Sequence, residues 1–182
     1  MADCYGNSAY ILRKSNNDLK KSITYYEKAL SINKEIKYEF GIAKRNNQLA
    51  IVHSMLGNME LALEHSYLFL ESSERMKDSS FIATATNIVA NIHMQLGDTK
   101  KAEEMYLKAL SLYEKVGSEK GVAISYNQIG VIYKNKEDYD IALSYFKKSL
   151  EIKEKIEDNE GAATSLNSID DIMTLKNEDS LS

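Results

Sequence analysis

The chain of 182 residues has no proline, no tryptophan, one cysteine and eight glycines, and each shortage excludes something. Without proline, the strongest helix breaker, and with Leu, Ile, Ala, Lys and Glu plentiful, the composition favours an all-α fold. One thiol, Cys4, makes no internal bridge, and no activating base near it marks it as a nucleophile. No apolar run approaches the roughly 18 to 20 residues that span a bilayer. The opening MADCYGNSAY also lacks the basic-then-apolar pattern of a signal peptide, so a cytoplasmic, membrane-free location is expected. A basic field is missing too: 23 Lys and Arg against 27 Asp and Glu give a net charge of −4, which argues against non-specific binding of nucleic acid. There is no glycine-rich phosphate loop, HExxH, cysteine pair or GxSxG elbow. The expectation is therefore no enzyme, no cofactor and no metal.

What is present is repetition. Cut every forty residues, the chain aligns Asn7, Asn47, Asn87, Asn127 and Asn167 in one column without a gap. Four further matches to a given Asn arise by chance about once in thirty thousand columns. Ala43, Ala83, Ala123 and Ala163 form a second column, Leu30, Leu70, Leu110 and Leu150 a third, and Ser22, Ala62, Ala102 and Ala142 a fourth. Each unit reads as two helices of about 17 residues joined by short turns. Gly57 and Gly97 suit the left-handed position after a helix, while Asp18, Asn58, Asp98 and Asp138 stand where the next helix needs an N-cap. Asp78, Ser118 and Asp158 suit the return. The junction at Lys37, Tyr38 and Glu39 lacks such a cap, so helix is expected to run on there with less of a break. Small residues at Ala50, Ala90 and Gly130, and at Ala62, Ala102 and Ala142, allow paired backbones to approach closely, and the aromatic column Tyr26, Tyr106 and Phe146 fills the space left.

The run GVAISYNQIGVIYKNKEDYDIALSYFKKSLEIKEK resembles a tetratricopeptide repeat (TPR), with Tyr126, Ile129, Gly130, Tyr133, Ala142 and Phe146 at the family's spacing. Val89, Ala90, His93, Gly97, Ala102, Tyr106 and Ala109 repeat the pattern, as do Leu49, Ala50, His53, Gly57, Ala62 and Phe69. The forty-residue length is similar to arrays in bacterial sensor and regulator proteins. The resemblance implies a right-handed TPR-like superhelix, an α-α solenoid of four helix pairs plus a C-terminal capping helix. The expected organisation is one domain over 1–175, with units of about 1–40, 41–80, 81–120 and 121–160, a capping helix at 161–175 and a flexible tail at 176–182. Asp170 replaces the small residue of Ala50, Ala90 and Gly130, so the last helix is expected to end the array.

Function is expected to be the capture of a protein or an extended peptide. In TPR geometry the Asn column points to the concave side. A carboxamide pairs with both C=O and N–H of a peptide backbone, although the same residues could instead bond one another or the helix backbone. Asn7, Asn47, Asn87, Asn127 and Asn167 are the candidate rungs, with Lys44, Ile51, Asn91, Ile124, Val131 and Lys134 beside them. A neutral polar and aliphatic centre with mildly basic sides suits an extended segment with apolar anchors. The dicarboxylate clamp of chaperone-binding TPRs is not reproduced, since Asn7 and Ile11 stand where it has Lys and Asn. His53 and His93 share one column and read as packing rather than ligands. The charged residues Glu151, Lys153, Glu154 and Lys155 read as a solvated face.

In the second unit, Ser66 replaces the aromatic of Tyr106 and Phe146. Either Tyr67 or Phe69 refills the space, or Tyr67 and Leu68 form an exposed self-association patch. The alternative function is accordingly a structural spacer or oligomerisation module of a sensor or regulatory protein, with a homo-oligomer as the partner.

Overall fold

The computed structural model describes residues 1–15 and 18–179, and every element among them is an α-helix. These are α1 (Ala2–Lys14), α2 (Leu19–Glu35), α3 (Glu39–Met55), α4 (Met59–Met76), α5 (Ser79–Gln95), α6 (Thr99–Lys115), α7 (Glu119–Asn135), α8 (Tyr139–Lys155) and α9 (Asn159–Asp179). The chain divides into two compact units, Met1–Asp98 and Thr99–Ser182. The division falls within the third forty-residue unit, between its two helices.

One backbone device closes every described turn from residue 37 onward. A left-handed residue follows each helix: Gly57, Gly97 and Gly117 at φ of 76°, 80° and 69°, and Lys37, Lys77, Glu137 and Glu157 at 54°, 56°, 64° and 57°. The next amide then reaches back to close the last turn, as Asn58 N–H does to the His53 carbonyl at 2.9 Å and Asp138 N–H to that of Tyr133 at 3.0 Å. The same device corrects the expected run-on at Lys37–Glu39. There α2 stops at Glu35, Tyr38 N–H bonds the Asn33 carbonyl at 2.8 Å, and α3 starts afresh, because the backbone stop needs no side-chain cap. Asp18, Asp78, Ser118 and Asp158 accept backbone N–H bonds as caps. Asn58 and Asp138 make no such side-chain bond.

In the first unit Ala9, Tyr26, Leu30, Leu49 and Val52 form one buried cluster, and Ala43, Phe69 and Ala85 another. Phe69 is fully buried, with its ring edge on Phe81, whereas Ser66 turns its hydroxyl to the Leu63 carbonyl. Phe69, three residues on, therefore supplies the buried aromatic that Ser66 does not. In the second unit Phe146 packs with Ala142 and Ile172, and a Cβ on Gly130 would lie 2.8 Å from its ring. Two ion pairs restate the period: Arg75 binds Glu39 at 2.6 Å, and Lys155 binds Glu119 at the same two columns eighty residues on.

Lys153 departs from the expected solvated face. It is 5% exposed and donates from Nζ to Ser165 Oγ at 2.9 Å, and burial pushes its ammonium below the ordinary lysine range. The helix α9 runs from Asn159 to Asp179, past the expected end at 175, and residues 180–182 of the expected tail lie outside the described residues.

Two substitutions test these contacts. Gly130→Ala should destabilise the chain by about 1–3 kcal/mol in urea denaturation through overpacking against Phe146, despite alanine's higher helix propensity, and Phe146→Leu should recover part of the loss. Glu137→Gly should stabilise the chain by up to about 1 kcal/mol in the same measurement, because a side chain is strained in the left-handed region. No change in either would show that these positions relax freely.

Candidate functional site

Within the first unit, α1, α3 and α5 carry Asn7, Asn47 and Asn87. Ser54 Oγ on α3 donates to Gln95 Oε1 on α5 at 2.8 Å, so these two first helices stand side by side. Asn7 is exposed, Asn47 half-buried and Asn87 8% exposed. The Oδ1 atoms of Asn47 and Asn87 are both shut from solvent and accept no hydrogen bond among the described residues. Ile51 and Asn91 are half-buried on the same helices, while Lys44 is exposed.

Within the second unit the column behaves differently. Asn127 on α7 lies with its Oδ1 3.4 Å from Ser165 Oγ on α9, at the edge of a polar chain of Lys153, Ser165, Ser149 and the Ala123 carbonyl. Asn167 on α9 is exposed. Ile124 is half-buried, and Val131 packs against the Phe146 cluster. Lys134 is bound to Asp171 on α9 at 2.9 Å, so the basic flank expected here is neutralised within the fold.

Tyr67 is 41% exposed, yet its hydroxyl lies 3.2 Å from His93 Nε2 and its ring stands edge-on to that imidazole. On the other side of the same imidazole, Asp98 Oδ2 stands 3.4 Å from His93 Nδ1. Tyr67 and the half-buried Leu68 line a shallow cleft of about 480 Å³ with Leu70, Glu64, Glu71 and Glu74.

A tetratricopeptide repeat profile matches residues 81–155, and a second of the same description matches residues 2–36, together more than half of the chain. The chain belongs to the tetratricopeptide repeat family. A comparison with curated protein sequences gives no match. Among solved structures, the apo form of RapI is similar at a TM-score of 0.86 and 19% identity, over 97% of this chain and 64% of that one. A Rap protein complexed with Competence and Sporulation Factor gives 0.81 and 18%, over 96% and 48%. A signal transduction ATPase with numerous domains and a tetratricopeptide repeat sensor, from Pyrococcus horikoshii, gives 0.83 and 20%, over 92% and 26%. These likenesses show the α-α solenoid fold, and the chain spans less than two thirds of each of the three.

Two polar features of this TPR chain escape a column reading. Arg45, 2% exposed, binds Asp3 at 3.2 Å and fills the space that Gly6 leaves; a Cβ on Gly6 would collide with the guanidinium. Its signal was an Arg among the small residues Ala85, Ser125 and Ser165 of its column. The second is a stacked histidine pair, His53 on α3 and His65 on α4, with ring centroids 5.5 Å apart and planes within 7°. Asn46 Oδ1 lies 3.0 Å from His65 Nδ1, which fixes that nitrogen as the donor. No cluster of three His, Cys, Asp or Glu able to hold a metal occurs among the described residues.

Burial pushes both imidazoles below the ordinary histidine value, and His53 adds to the effect on His65, against the pull of Glu64 and, on His53, of Glu27. The unfolded chain, with histidines near pH 6.5, then binds protons that the folded chain refuses. Stability from this pair is complete above about pH 6.5 and is lost as pH falls from there toward the lowered folded values. Urea midpoints measured from pH 7.5 to pH 5 should fall accordingly, and His65→Gln should flatten the slope. An unaltered slope would mean that carboxylates alone set the acid limb.

Proposed function

We propose that the chain is a non-catalytic binding scaffold whose first helices hold an extended protein or peptide segment by its main chain through the Asn column. The repeats support the general role, since stacked helix pairs present the same side chain at regular intervals on neighbouring helices. The observation that carries the finer reading is the pair of unbonded carboxamide oxygens on Asn47 and Asn87. A purely structural ladder would bond its rungs to each other or to the helix backbone, because a shut-in acceptor without a donor costs about 1–3 kcal/mol. These two oxygens do neither, and a turn of each carboxamide would bring its oxygen from the shut-in place to a bound segment. Their helices also carry Ile51 and Asn91, an apolar and a polar neighbour for the side chains of a bound segment.

Asn127 contributes less on this reading, because Ser165 already stands beside it. A spacer or oligomerisation module is the second reading, favoured by the Tyr67 and Leu68 cleft with its exposed apolar wall.

One experiment separates the two. Linear peptides selected on the full chain from a random library should bind in the micromolar range, and Asn47→Ala with Asn87→Ala should weaken them by about 1–3 kcal/mol while Asn127→Ala costs less. Equal affinity for the double variant would sink the assignment. If no peptide is retained and the sedimenting mass instead grows with concentration until Leu68→Lys abolishes it, the chain is an assembly element.

A further inference from the structure

The three first helices within Met1–Asp98, namely α1, α3 and α5, contain two carboxylates between them, and arginine holds both. Asp3 binds the buried Arg45 at 3.2 Å, and Glu39 binds Arg75 on α4 at 2.6 Å. The helix α5 has no Asp, Glu, Lys or Arg at all. Residues three before, four after and seven after each Asn of the column share its helix face. On these helices such residues are uncharged except Lys44, three before Asn47, and Lys14, seven after Asn7. Both lysines are exposed, and neither holds an ion pair or hydrogen bond among the described residues. The counterpart of Lys14 on α7, Lys134, is by contrast taken up by Asp171.

Lys44 therefore stands one helical turn from Asn47, whose carboxamide oxygen is shut in without a donor, and no acid of the chain competes for its ammonium. A lysine or arginine side chain laid on this face would meet a like charge with nothing to offset it. A neutral side chain would draw nothing from the ammonium. A carboxylate would pair with it, and the remaining neighbours, Ile51, Asn87 and Asn91, carry no charge to oppose one. A single ammonium also matches a single carboxylate, whereas a phosphoryl group, with about two negative charges near neutral pH, would leave charge unpaired among neutral amides.

We propose that the segment held on α3 and α5 is acidic, with an aspartate or glutamate side chain paired to Lys44 beside the main-chain contact at Asn47. This choice of ligand class rests on the reading of Asn47 and Asn87 as main-chain contacts and adds selection to it. Carboxamides that bond a peptide backbone accept any sequence, so discrimination has to come from a side chain such as Lys44, which admits one sign of charge and repels the other.

The probe is a library of short random linear peptides, acetylated and amidated at their ends so that only side chains carry charge, selected on the full chain. Retained sequences should be enriched in Asp and Glu over the input and depleted in Lys and Arg. For an acidic peptide from that pool, Lys44→Ala should weaken binding about threefold and Lys44→Glu about tenfold. Replacing the peptide's acid by its amide should weaken binding to the parent chain about threefold and leave binding to the Lys44→Ala variant unchanged. Lys147→Glu, the same change of net charge at an exposed position of α8, should have no effect. Because Lys44 is exposed, helix content and thermal midpoint should match the parent chain in each variant. Retained peptides without acidic enrichment, acidic peptides indifferent to Lys44, or an equal loss with Lys147→Glu would overturn the inference, while the main-chain reading would still stand or fall on Asn47→Ala with Asn87→Ala. Acidic peptides that need Lys44 but neither Asn would overturn the main-chain reading and keep the acid contact. A library from which no peptide is retained would overturn both.

Discussion

A β-carbon on Gly130 has nowhere to go, and most of the architecture depends on that kind of close approach. Ala50, Ala90, Ala62, Ala102 and Ala142 are completely buried, and Gly130 meets the Phe146 ring where even one methyl group would press against it. Helices whose contact positions are this small bring their backbones together, and one large ring then fills the gap beside each contact. The ring need not hold one column. In the second unit Ser66 vacates the usual site and Phe69 is fully buried instead, against Phe81. What the second unit keeps is a buried ring, seated at a different column and against different neighbours, Ala43, Ala85 and Phe81.

The same closeness governs the polar residues. Arg45 is buried because Gly6 makes room for its guanidinium, and Lys153 is buried with Ser165 as its hydrogen-bond partner. His53 and His65 stack flat because Asn46 holds the second ring in one tautomer. Each is a group that water would ordinarily surround, placed where a helix pair leaves no room for water. Their burial costs free energy unless each finds a partner: Arg45 has Asp3, Lys153 has Ser165 and His65 has Asn46, whereas His53 keeps a buried Nδ1 without a hydrogen bond among the described residues. Such positions restrict what a unit can exchange with its neighbours, since a guanidinium accommodated by Gly6 fits no column that lacks that glycine.

The period, the two helices in each unit and the small contact columns were legible in the sequence, because each is a demand that every repeat must meet alone. Gly57 and Gly97 announced their turns for the same reason. The turns at Lys77, Glu137 and Glu157 were marked only by the Asp78, Asp138 and Asp158 that follow them, and the turn at Lys37 by no signal at all: the backbone closes all four with one amide bond and tolerates a side chain in the left-handed region. Lys153 was misread as solvated because periodicity places it near the polar edge of α8, and its burial depends on Ser165 in another helix. Similarly, Lys134 reads as free from its own helix alone, and only the arrival of Asp171 on α9 shows it to be paired. Features set within one helix pair can be read from columns, whereas features set by the next pair need the packed structure.

The Asn column shows where that boundary falls for function. Five identical residues at one spacing suggest five equal rungs, but their surroundings divide them. Asn7 and Asn167 are exposed, Asn127 has Ser165 beside its carbonyl oxygen, and Asn47 and Asn87 hold shut-in oxygens without a donor. An amide that the fold has already bonded has less to offer a ligand, because a ligand must first displace the internal partner and gains only the difference. A carboxamide left unbonded carries its cost in the free protein and recovers it when a donor arrives. If the column acts on a peptide, its strength is therefore concentrated on α3 and α5, and the uniformity of the sequence overstates the uniformity of the site.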